Sequence, residues 1–158
     1  MSAHLKASLD VIEELYDSMT DLVRGLDSET LNWTPNGIDA TNSIAAMVTH
    51  TVGSTNSWTA RAVSEPIERD RDAEFKAQAG ARQLVELIDR GRADLRRRFA
   101  LLESIDLGST IVVTRLGGAH AGSTQEVSVG WCIEHALIHA GEHWGQIQLT
   151  RQLRLARG

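Results

Sequence analysis

The stretch Glu134-His135-Ala136-Leu137-Ile138-His139-Ala140-Gly141-Glu142-His143-Trp144-Gly145-Gln146 decides how this chain reads. It sets three histidines four residues apart. On a helix, side chains at i and i+4 share a face, with Cβ atoms about 5–6 Å apart. Two imidazoles at that spacing can converge on one ion, each nitrogen about 2.0–2.1 Å from it. Three in succession cannot, because His135 and His143 stand two turns apart, about 12 Å along the axis. The spacing therefore offers 135/139 or 139/143 and does not choose between them. Scattered surface histidines, or a buried hydrogen-bonded pair, give the same pattern. A metal site needs a third ligand from another helix.

Working outward, residues 128 or 129 to 155 read as one helix, with Ile133, Leu137, Ile147 and Leu149 as apolar contacts. Before it, residues 110–116 are short and β-branched, residues 117–122 are glycine-rich, and residues 124–129 offer a returning strand. This predicts a small hairpin or an ordered loop. Residues 73–102 read as a helix with a Leu84, Leu87, Ile88, Leu95, Phe99, Leu102 stripe, weakened locally at Gly80 and Gly91. The charged residues 68–72 read as a connection. A further helix starts near residues 39–42 and runs to about residue 63, followed by Pro66. The first helix spans about residues 4–25, and a short capped turn leads through Trp33 to the loop Thr34-Pro35-Asn36-Gly37. Four long helices with one irregular crossing predict an all-α four-helix bundle over residues 1–158 as a single domain.

His50 is the best third ligand. It lies inside the second long helix, where a side chain can face the bundle interior, as metal sites in bundles require. Its same-face neighbours Ala46, Gly53 and Ser57 are small and leave room beside the imidazole for an ion, water or substrate. Close helix packing explains small residues equally well. His4, near the terminus, and His120, in the glycine-rich insert, are weaker candidates.

The 158 residues suffice for a sizeable core, and 42% hydrophobic residues exclude a disordered chain. No apolar run approaches the roughly 18–20 residues of a membrane span. The N-terminal MSAHLKASLDVIEEL does not read as a signal peptide, which places the protein in the cytoplasm. A net charge of −5 with one dense basic run, Arg96-Arg97-Arg98, argues against nucleic-acid binding. That run reads as a solvated helix face. The single cysteine, Cys132, rules out an internal disulfide and a multi-thiolate zinc knuckle. Its place two turns before His139 reads as a buried thiol.

Two segments now resemble the DinB family, also described as YfiT-like metal-dependent hydrolases. One is Leu31-Asn32-Trp33-Thr34-Pro35, followed by Asn42-Ser43-Ile44-Ala45-Ala46-Met47-Val48-Thr49-His50. The other is His139-Ala140-Gly141-Glu142-His143-Trp144-Gly145-Gln146-Ile147, similar to the family's late H-x-x-x-H-x-G-Q pattern. The order of the four helices fits as well. The resemblance implies DinB-like topology and a metal triad of His50, His139 and His143. His135 then becomes a pocket or outer-shell residue, a role that often fixes imidazole orientation. Gln146 lies near the His139 face and can orient a ligand. Trp58 and Trp144 can line a pocket, although core packing is the commoner role of tryptophan. Glu142 reads as a surface carboxylate. The resemblance also implies a homodimer formed by helix packing.

Three neutral histidines leave coordination positions open, as catalytic sites do. Zinc is the preferred ion; nickel, iron or manganese also accept imidazole. Some relatives resemble thiol S-transferases or isomerases that use bacillithiol or mycothiol, and others are called hydrolases. A small-molecule substrate and a transferase using a low-molecular-weight thiol are slightly preferred. The alternatives are a non-catalytic metal-binding stress-response protein, since the family takes its name from a damage-inducible gene, and a purely structural or interaction bundle.

Overall fold

A computed structural model describes residues 1–35, 41–114 and 121–156. Four long helices form the bundle: α1 (Ala3–Arg24), α3 (Ile44–Ala62), α5 (Ala81–Leu102) and α6 (Val129–Leu155). Two short helices, α2 (Ser28–Asn32) and α4 (Arg71–Phe75), sit in the connections. The predicted hairpin is present as β1 (Thr110–Thr114) and β2 (Thr124–Ser128), antiparallel, with Thr110 opposite Ser128 and Thr114 opposite Thr124. Val113 and Val127 turn toward the core while Val112 faces solvent. The glycine-rich insert lies largely outside the described residues, and His120 with it.

Local chemistry starts each helix. Ser2, Asp27, Ser43, Asp70 and Ser128 each accept a backbone N–H from three residues on. Each such cap satisfies one of the donors a helix start leaves unpaired. The second long helix therefore begins at Ile44, after Ser43, rather than at residues 39–42; residues 36–40 lie outside the described residues. α3 is the central helix, packed against both α5 and α6, and is buried on almost every side. Its buried Thr51 and Thr59 bond back to the Met47 and Thr55 carbonyls, so their hydroxyls enter the core satisfied. Leu5, Ile12, Tyr16, Met19 and Val23 of α1 close the core against α5 and α6.

The helix expected over residues 73–102 is instead two helices, α4 and α5, with a break at residues 76–80. The cause is Asn32. Its side-chain amide donates to the Ala79 carbonyl at 3.1 Å and accepts from the Ala79 N–H at 3.0 Å. Both backbone groups of Ala79 are thus taken, and Gly80 opens a new helix with Gln83 bonded back to its N–H. The break turns α4 toward α3, which it contacts. Part of the stretch read as a charged connection is thus the start of α4.

The arginine run divides. Arg96 and Arg97 are exposed and pair with Glu13 and Glu65, whereas Arg98 is buried against Asn56 and Glu65.

Gly91 is where α5 meets α3. A Cβ there would lie 2.5 Å from Val52 Cγ1 and 3.1 Å from Asn56 Nδ2. Alanine in place of a helical glycine ordinarily gains about 0.5–1 kcal/mol, but overpacking costs about 1–3 kcal/mol. Gly91→Ala is expected to destabilise the protein, and Gly141→Ala, with nothing within 4 Å of the added carbon, to stabilise it. Urea denaturation of both variants checks the opposite signs.

Candidate metal centre

α3 and α6 lie side by side, and between them His50, His139 and His143 come together. One ligand atom from each lies within 4.8 Å of the others. Nε2 of His139 and Nε2 of His143 are 3.2 Å apart. Two nitrogens on one tetrahedral zinc are separated by about 3.3 Å, from a bond of 2.0–2.1 Å. The pair is already at coordination spacing, and the His50 ring stands 4.9 Å from that of His143 and 5.4 Å from that of His139.

The partners of the outward-facing nitrogens fit an ion. A carboxylate can only accept, so Nδ1–H of His50 donates to Glu74 Oε2 at 2.9 Å. With Nδ1 as the donor, the neutral ring presents its Nε2 lone pair for a ligand bond. Arg69 Nη2 also lies 3.3 Å from the same Nδ1, but a protonated Nδ1 cannot accept from it. The acceptor of Arg69 is Glu74, reached by Nη2 at 2.6 Å and Nε at 2.7 Å. His143 repeats the arrangement: Nδ1–H donates to Gln146 Oε1 at 3.0 Å, again leaving Nε2 for the centre. Such second partners set the tautomer and the orientation of metal-binding histidines.

Glu74 was not legible as part of this site. It comes from α4, a five-residue helix that packs on α3. Gly53 makes its place: a Cβ at Gly53 would stand 2.1 Å from Glu74 Oε1. The room read beside His50 for an ion or substrate is filled, at Gly53, by this carboxylate. Burial raises the Glu74 pKa, but the bonds from His50 and Arg69 outweigh it and hold the carboxyl below its ordinary value. Phe75 stacks on His50 at 4.1 Å, covering the ring from the same short helix.

The other predicted residues are spread around this centre. His135 is outside the triad; its ring stacks on Trp131 at 4.6 Å and meets Trp58 edge-on at 4.5 Å. Trp58 is buried against both. Trp144 is half-buried and packs on the core, and Glu142 is exposed. His4 pairs instead with Glu134, at 3.1 Å. Cys132 is buried, and desolvation pushes its thiol up to about 11. A cleft of about 470 Å³ opens beside His143 and Gln146, with Met47, Phe75, Leu149 and Leu153 among its apolar walls.

Burial, followed by the fields of His143, His50, His135 and Arg69, lowers the His139 pKa to about 3. Burial also lowers that of His143, against the bond from Gln146. Both rings therefore stay neutral and able to ligate. In the unfolded chain histidine accepts a proton near pH 6.5. Between pH 6.5 and about 3 the unfolded state thus holds more protons, and stability falls as the pH falls. Above pH 6.5 neither ring contributes a slope. Chelator-treated protein is expected to lose stability steadily below pH 6.5, and His139→Gln to flatten that dependence; thermal melts from pH 8 to 4 check it.

A helical bundle gathering three histidine nitrogens between two of its helices defines a class of proteins with a three-histidine centre. Within it, the chain belongs to the DinB superfamily, whose model matches residues 12–147. The chain is similar in fold to a solved structure described as a conserved protein from Enterococcus faecalis, at 14% identity, a TM-score of 0.74 and 99% coverage of both chains. No curated protein matches the chain. Among the described residues no helix is long and apolar enough to cross a membrane.

Proposed function

We propose that His50, His139 and His143 hold one divalent ion, preferably zinc, in an enzyme that activates a thiol or water for transfer or hydrolysis. The observation that carries this reading is the meeting of three imidazoles, two with their other nitrogen already bonded outward. An ion held by three neutral nitrogens keeps a position open and lowers the pKa of a water or thiol placed there. The protein's own part is orientation: Glu74 and Gln146 hold two rings by their Nδ1–H groups, and Phe75 shields His50 from water. The adjoining cleft favours an enzyme over a metal-storing or stress-response protein, which needs no cavity of substrate size.

Thiol transfer is the preferred reaction, with a low-molecular-weight thiol such as bacillithiol or mycothiol as co-substrate. The reading carries with it a cytoplasmic location and a homodimer, the latter tested by light scattering. Zinc-loaded protein is expected to accelerate conjugation of such a thiol to a small electrophile, with the rate lost on chelation and restored by metal. Hydrolysis of esters or amides without thiol dependence would favour the hydrolase form. Stoichiometric metal with no turnover of either kind would leave the non-catalytic reading.

A further inference from the structure

Arg61 lies on α3, eleven residues after His50 and on the same face to within about 20°. Its guanidinium is half-buried, bonds to the Ser57 hydroxyl one turn back, and lies 4.9 Å from the Trp58 ring centroid. Among the described residues no carboxylate pairs with it. The charged groups that act on it are Arg69, which repels it, and Cys132, whose buried thiol is neutral near pH 7. Buried arginines are ordinarily paired, as Arg69 is with Glu74 and Arg98 with Glu65. Arg71, half-buried and stacked on Phe75 near His143, likewise has no carboxylate partner among the described residues, whereas Arg69 is neutralised by Glu74.

We propose that Arg61 is the anchor for a carboxylate on the substrate whose reacting group sits at the three histidines. The inference rests on the metal reading of that centre and takes the ligand along a path other than the cleft beside His143, whose walls include neither Arg61, Trp58 nor His135. The distance sets the shape. Because Arg61 reaches back to Ser57, its guanidinium lies about seven residues from His50, or roughly 10 Å along the axis. The rings of Trp58, His135 and His139 span the interval, at successive separations of 4.5 and 5.8 Å. The ligand is therefore elongated, with a carboxylate at one end and the reacting atom at the other. A guanidinium fork matches a planar carboxylate in bidentate fashion.

Two measurements test this separately from the metal. Cobalt-loaded protein is titrated with 6-mercaptohexanoate and with 6-mercaptohexanol, and thiolate binding is read from the sulfur-to-cobalt absorption band. The carboxylate probe is expected to bind about tenfold more tightly, the effect of one charge-assisted contact. Arg61→Gln should abolish the preference without moving the mercaptohexanol affinity, and Arg61→Lys should keep part of it. In metal-free protein, hexanoate but not hexanamide should shift the indole N–H signal of Trp58, and Arg61→Gln should remove the shift. Thermal melts establish that the variants fold. Absence of a cobalt site would defeat the metal reading, and the hexanoate arm would still decide whether Arg61 takes a carboxylate. Equal affinities for the two thiols, an unchanged preference in Arg61→Gln, equal response to hexanoate and hexanamide, or tighter binding of hexyl phosphate than of hexanoate would overturn the proposal.

Discussion

Replacing His50 with alanine is expected to weaken zinc binding by at least about 100-fold, beyond the 10–100-fold usual for loss of an outer partner. The proposed site has three protein ligands, and two imidazoles on one helix face do not close a tetrahedral set. His139→Ala should do the same. His135→Ala should leave the zinc content unchanged, since its ring stacks on Trp131 rather than joining the centre. This contrast decides between the two histidine pairs that spacing along α6 left open. Metal analysis after desalting, followed by competition with a chelator of known affinity, measures all three. Equal zinc content in His50→Ala and the parent protein would remove α3 from the site.

Substitution of Glu74 is expected to have the largest effect on the fold and a clear one on the metal. Its carboxylate is shared by His50 and Arg69, whose side chains are 2% and 8% exposed. Removing one partner of a buried ion pair leaves the other charge without compensation, at a cost of about 3 kcal/mol or more. Glu74→Ala should therefore lower the melting temperature by about 6–12 °C, using 2–4 °C per kcal/mol for a chain of this size. Glu74→Gln keeps the shape and can still accept from His50, but it no longer neutralises Arg69. It should weaken zinc by about 10–100-fold with a smaller loss of stability. Gly53→Ala provides an independent route to the same result. It leaves the carboxylate chemically intact but places a carbon where Oε1 stands, so Glu74 must withdraw. If Gly53→Ala retains full zinc affinity, Glu74 does not hold His50 in its working orientation.

The helical stripes and cap residues made the bundle readable, because a buried face repeats with the helical period wherever the helix is long. The hairpin was readable for the same kind of reason: Val113 and Val127 sit in short runs on either side of a glycine-rich stretch of sequence. What escaped was α4. Five residues carry no periodicity, and the Ala79 break is imposed by Asn32, forty-seven positions away. Glu74 escaped with it. Nothing along the chain marks that carboxylate, whereas Gly53, its steric counterpart, was visible but read as open space. Arg98 misled in a related way. Its charge suggests solvent, yet Asn56 and Glu65 give a guanidinium enough partners to be buried. Reading α6 alone gave the histidine spacing and left the pair open; the family resemblance implied 139/143, and the fold brings His50 of α3 within 4.8 Å of both.

X-ray absorption at the zinc edge of the metal-loaded protein tests the central claim most directly. Three imidazole nitrogens at about 2.0–2.1 Å, with a lighter open-position ligand and no sulfur, are expected for the parent protein. A first shell containing Cys132 sulfur near 2.3 Å, or oxygen donors with fewer than three imidazoles, would contradict it.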